Sequence, residues 1–186
     1  MNDLAKGINI DGSTVSARDD AFFYNIVADN QTGIYSYGND FEYSIVSANS
    51  IQLKDGLAQV QGRRFVVYPN EVVDVAIDNG TQNMKRRDLI VLEFARGSSS
   101  ETLAIKVVKG TESEAPVDPT LTQDDTLGSG TVYQMPLYRV RLNGVNLEGV
   151  DDMRTYIKKS ASDVFLNSGK SVEEMLNSAI YLQPIE

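Results

Sequence analysis

The run RDLIVLEF, residues 87–94, limits this chain's fold more than any other stretch. Its apolar residues are nearly continuous, the pattern of a central strand covered on both faces. Downstream the period is two. Leu103, Ile105 and Val107 alternate with Ala104 and Lys106, and Tyr138, Val140 and Leu142 face opposite to Arg139 and Arg141 in a strand from Val132 to Leu142 that Met135 and Pro136 interrupt. Upstream, Phe41, Tyr43 and Ile45 alternate with Glu42 and Ser44. Turn signals separate these runs at short intervals. Asp55-Gly56, after Ile51 and Leu53, has the form of a tight hairpin in which glycine supplies a positive φ; Gln61-Gly62, Pro69-Asn70 and Asn79-Gly80 follow. Meandering antiparallel pairing is the simplest expectation. The predicted class is mainly β: an antiparallel β-sandwich or partly closed barrel from about Phe41 to Leu142, with a short N-terminal helix and C-terminal helices.

Both ends lose the alternation. Ser16 with Asp19 forms a capping-box-like pair at the start of a helix over Ala17 to Val27, where Phe22 and Ile26, then Phe23 and Val27, recur at helical spacing. After a turn-like stretch from Asn143 to Gly149, Asp151 to Lys159 is compatible with a short helix capped by acids. Ser171 to Leu182 is a better one: Ser171 and Glu174 make a capping box, and Val172, Met175, Leu176, Ala179 and Ile180 form an apolar stripe. SASDVFLNSGK separates that stripe from the body, so it is expected to dock on a neighbouring subunit. The 186 residues fit one domain with an appendage: an N-terminal arm and helix over 1–30, a β domain over 31–150 and a helical appendage over 151–186.

Between the strands lies VVKGTESEAPVDPTL at 107–121. Pro116 and Pro119 cannot donate ladder hydrogen bonds, so Thr111 to Thr131 reads as a long surface connection. Its acids, Glu112, Glu114, Asp118, Asp124 and Asp125, lack the spacing of a calcium loop, and no metal or other cofactor is expected.

Composition narrows the chemistry. There is no cysteine and no histidine, which removes disulfides, thiolate zinc sites and His-assisted nucleophiles. With 26 acidic against 17 basic residues and a net charge of −9, binding to nucleic acid or to an acidic membrane is disfavoured, and the Lys85-Arg86-Arg87 cluster reads as solvated charge flanking a strand. The first ten residues carry no long apolar segment, and no apolar run approaches the roughly 18 residues of a span, so neither a secretory signal nor a membrane helix is expected. The acid pairs Asp19-Asp20, Asp124-Asp125 and Asp151-Asp152 could in principle serve a glycosidase, yet adjacent acids more often begin helices or solvate loops, and no catalytic residue is assigned. Tyr35 and Tyr37, with Tyr43 nearby, could stack on a sugar, which is the basis of an alternative reading as a carbohydrate-binding module or adhesin.

Several segments in order, RRDLIVLEF, IKVVKGTESEAPVDPTLT and VYQMPLYRVRLNGVNLEGVDDMR, resemble the baseplate or tail-tip structural proteins of bacteriophages and prophages of Gram-positive hosts. The matching residues are Arg87, Asp88, Ile90, Val91 and Leu92; Val108, Lys109, Gly110 and Thr111; Pro116 and Pro119; and Pro136, Leu137, Tyr138, Val140 and Leu142. Upstream, DDAFFYNIV and LAQVQGRRFVVY fit the same pattern, so the likeness covers about residues 15 to 157. It implies a non-enzymatic virion protein, made in the bacterial cytoplasm and located in the tail or baseplate. Its partners would be copies of itself in a symmetric oligomer and other tail proteins.

Overall fold

The computed structural model describes residues 14–158. The stripe Val172, Met175, Leu176, Ala179 and Ile180 lies outside them. The elements run α1 (Ala17–Val27), β1 (Gly33–Tyr35), β2 (Tyr43–Ser47), β3 (Ser50–Leu53), β4 (Gly56–Val60), β5 (Arg63–Val67), β6 (Val73–Ala76), β7 (Lys85–Arg96), β8 (Glu101–Val108), β9 (Val132–Asn143) and β10 (Asn146–Asp152). They form three antiparallel sheets, β10-β9-β7-β8, β1-β4-β5 and β2-β3-β6, and no closed barrel is present among the described residues. The fold is mainly β and sandwich-like, with one short helix near the N-terminus.

The continuous apolar run of β7 is central, as its pattern requires: Asp88 through Leu92 are buried, and the strand pairs with β8 on one side and β9 on the other. Tyr138, Val140 and Leu142 of β9 enter the core while Arg139 and Arg141 stay half-exposed. Pro136 does not interrupt β9. Register shifts where Ile90 faces Tyr138 and Val91 faces Pro136, leaving Leu137 as the extra residue of a bulge, the place where a residue without an N–H is tolerated. All three sheets contribute to one apolar cluster, among them Ile34, Ala58, Ile51, Leu53, Leu92 and Tyr138.

The Asp55-Gly56 signal has a different meaning from a hairpin. β3 pairs with β2 and β6, whereas β4 pairs with β1 and β5, so the chain changes sheets at this corner. Gly56 has no positive φ; its missing side chain matters because a Cβ would stand 2.8 Å from both the ring and the backbone nitrogen of Phe41. Phe41 itself is not in a strand. It sits in a left-handed turn (φ 58°), donates its N–H to the Asp55 carbonyl at 3.1 Å and is buried, while Ile45 of the expected same face is 51% exposed. Pairing is therefore interleaved rather than meandering. Gln61-Gly62 is a true hairpin turn, with φ of 44° and 82° and Val60 opposite Arg63.

The expected short helix at 151–159 is extended chain as far as Lys158. Its opening acids are cross-strand partners: Asp151 lies opposite Arg139, and its carboxylate accepts from Arg139 and Arg141. Asp152 instead holds Arg154 at 2.6 Å. The tail then returns to the start of the β region, where Ile34 donates to the Thr155 carbonyl and Ile157 to the Ile34 carbonyl, each at 2.8 Å.

Helix α1 begins with the full capping box: Ser16 Oγ accepts from the Asp19 N–H at 3.2 Å, and Asp19 Oδ2 accepts from the Ser16 N–H at 2.9 Å. Its inward face is not the large apolar one. Ala21 and Asn25 are buried, while Phe22, Phe23, Ile26 and Val27 are 54%, 62%, 55% and 59% exposed. The turn of β4 and β5 presses on this small face so closely that a Cβ on Gly62 would come 1.7 Å from the Ala21 carbonyl oxygen.

Candidate functional site

Arg86, at the mouth of β7, is buried rather than solvated. Its Nε and Nη2 donate to Asp88 Oδ1 and Oδ2 at 2.8 and 2.9 Å; Nη2 also donates to the Asp78 carbonyl at 2.6 Å, and Nη1 to the Asn79 carbonyl and Glu112 Oε1, both at 3.1 Å. Burial works against the guanidinium charge, and the Asp88 and Glu112 carboxylates more than offset it, so its pKa moves up. Asp88 Oδ1 also accepts the Gly110 N–H at 2.9 Å, and a Cβ on Gly110 would meet the Arg87 carbonyl oxygen at 2.0 Å. The strand end Val108-Lys109-Gly110 thus turns onto β7 through a buried ion pair.

The acidic connection continues this clamp. Ser113 and Lys85 exchange backbone hydrogen bonds at 2.9 and 3.0 Å. Asp118 accepts from Arg139 Nε at 2.8 Å and closely from its Nη2, and Arg87 lies at 3.5 Å. The Arg139 hydrogen bonds hold the Asp118 carboxyl below the usual carboxylate range. Asp124 Oδ2 accepts the Thr131 and Val132 N–H groups, and Asp125 Oδ1 those of Leu127 and Gly128. Five of the six acids in the pairs offered by the sequence have structural partners: Asp19 caps α1, Asp124 and Asp125 hold a turn, and Asp151 and Asp152 bind arginines. No group of His, Cys, Asp or Glu that could hold a metal ion occurs among the described residues.

Tyr35 and Tyr37 do not share one environment. The half-buried Tyr35 hydroxyl donates to Gln59 Oε1 at 3.0 Å, and burial pushes its pKa up, whereas Tyr37 is 45% exposed with its N–H donated to Asp40 Oδ1. Tyr43 packs edge-to-face on Tyr138 at 5.0 Å. Of the two tyrosines in the alternative sugar-binding reading, Tyr37 is exposed and Tyr35 is half-buried.

Two apolar features face outward, one on a helical stripe whose orientation the sequence leaves open and one that the sequence does not signal. The first is the outward face of α1. Beneath that helix an open groove of about 500 Å³ runs past Asp20, Tyr24, Arg63, Arg64 and Val66, with Arg64 stacked 3.7 Å over Tyr24 and Arg63 4.0 Å over Phe94. The second is β2, which among the described residues has no strand on its outer side and leaves Ile45 and Val46 51% and 60% exposed. Its bulge between Ile45 and Ser47, which breaks the alternation, has no sequence signature. The sequence matches no protein-family model and no curated protein.

Proposed function

We propose that this chain is a non-enzymatic structural protein of a bacteriophage or prophage tail or baseplate, acting by self-association and by docking to other virion proteins. The observation that carries the association is the open edge at β2. Exposed strand edges pair with other chains unless charge, proline or a cover blunts them. Edge strand β8 carries Glu101 and Lys106, β10 carries Glu148 and Asp151, and β6 carries Asp74, while the outer side of β1 meets the 155–157 tail. β2, with the sequence YSIVS, contains neither charge nor proline. The ordered segments that resemble tail proteins support the choice of particle, and the arginine clamps hold the acidic connection against the large sheet. Light scattering tests the reading: the wild type should form a discrete oligomer, and Val46→Lys should lower its mass while leaving the β circular-dichroism signal intact. A wild type that stays monomeric at high concentration overturns it. Genes for a tape-measure protein, a holin and a lysin beside this one would support the tail assignment.

A further inference from the structure

We propose that the outward face of α1 is the seat of this chain's own segment Ser171 to Leu182, docked within one subunit. The seat is apolar and exposed: Phe22, Phe23, Ile26 and Val27 are each more than half exposed on a helix whose inner face is already packed. The sequence holds one matching stripe, Val172, Met175, Leu176, Ala179 and Ile180, at the spacing of a single helix face. A hollow of about 430 Å³ bounded by Arg18, Phe22, Asp125 and Leu127 flanks the seat, and its far wall is tied to the helix by Arg18, which donates to the Leu127 carbonyl at 2.7 and 3.1 Å.

The path of the chain selects the occupant. The described chain ends at Lys158, whose N–H donates to Gln31 Oε1 at 2.9 Å and whose carbonyl accepts from Gln31 Nε2 at 3.4 Å, just beyond the end of α1. From there 12 residues, 159–170, lead to Ser171. A flexible chain of that length spans about 20 Å, and α1 is about 16 Å long, so the stripe reaches the whole seat. Patch size points the same way. Four half-exposed side chains offer on the order of 400 Å², well short of the roughly 800 Å² per partner that a stable interface between separate molecules buries. A tethered segment needs less, because its effective concentration is about millimolar. This in-chain contact is set against the neighbouring-subunit docking expected from sequence, and it is independent of the β2 edge.

The absence of cysteine makes a direct test clean. In the full chain, Ile26→Cys is combined in turn with Met175→Cys, Leu176→Cys and Ala179→Cys, and each pair is oxidised at low concentration. The expected product is a disulfide within one chain, identified by peptide mapping, with a yield unchanged on tenfold dilution. Disulfide-linked dimers whose yield falls on dilution would assign the segment to a second copy, and no cross-link in any pair would leave the seat to another occupant; either overturns the proposal. Leu176→Asp provides a second readout: amide exchange across residues 22–28 should quicken by about tenfold or more, with the light-scattering mass unchanged. Unaltered exchange also overturns it. The in-chain disulfide forms in monomer and oligomer alike, so its outcome and that of the Val46→Lys test are separable.

Discussion

Arg86 and Asp88 stand two residues apart on β7 and meet side-on at 2.8 and 2.9 Å, with each side chain 1% exposed. Five donated hydrogen bonds satisfy the whole guanidinium fork. Removing either partner strands a buried charge, so Arg86→Met and Asp88→Ala should each lower unfolding free energy by about 3–5 kcal/mol in urea titrations. The double variant Arg86→Met/Asp88→Leu should cost less than the two single losses summed, because no charge is left behind. Arg86→Lys should behave like a loss, since three donors cannot replace five.

Acid should unfold the protein through its arginine-bound carboxylates. Arg139 depresses the pKa of Asp118, and Arg154 that of Asp152. A depressed folded-state pKa contributes stability that is complete above the unfolded value of about 3.9 and disappears as pH falls through the folded value. The urea midpoint should therefore be flat from neutral pH down to about 5 and drop below about 4. Asp118→Asn should make that drop shallower while lowering the neutral plateau.

Gly56 separates steric need from backbone strain. Its φ is ordinary, yet a Cβ would lie 2.8 Å from the Phe41 ring, so Gly56→Ala should cost about 1–3 kcal/mol through overpacking at the corner between sheets. A stability equal to wild type in thermal melts would show that Phe41 has room to move.

The two tyrosines should respond differently. Tyr35→Phe leaves the fully buried Gln59 without its donor and should cost about 1 kcal/mol. Tyr37→Ala should change stability by less than about 0.5 kcal/mol. Glycan-array binding that Tyr37→Ala abolishes would favour the carbohydrate reading over the assembly reading.

Legibility in the sequence followed periodicity. The alternation of Tyr138, Val140 and Leu142, the continuous run in β7 and the Ser16-Asp19 capping box reflect local geometry, and each appears where the pattern placed it. What stayed hidden depends on partners distant in the chain. The Asp55-Gly56 corner looked like a hairpin because both uses need a small residue, and only Phe41, approaching from another segment, distinguishes them. Asp151 and Asp152 looked like a helix start because their arginine partners were not apparent from spacing. Arg86 looked solvated because a basic triplet usually is; the cue that could have found it was Asp88 on the same strand face two residues on. For the candidate surfaces, periodicity found the apolar stripe of α1 but could not say which face met the body.

The switch of sheets at Asp55-Gly56 also orders events in time. β3 waits for β6, and β4 is flanked by β1 from before the switch and β5 from after it, so each small sheet closes around chain that belongs to the other. A nascent chain that has emerged only to Val67 lacks the strand that completes β2-β3-β6, and cannot bury Ile51 and Leu53 against β7 and β9. Pairing of this non-local kind pays its loop-closure entropy before any reward, which slows folding and makes it cooperative. The β region should accordingly fold after synthesis as one unit, and no cut between β1 and β9 should yield a fragment that folds alone.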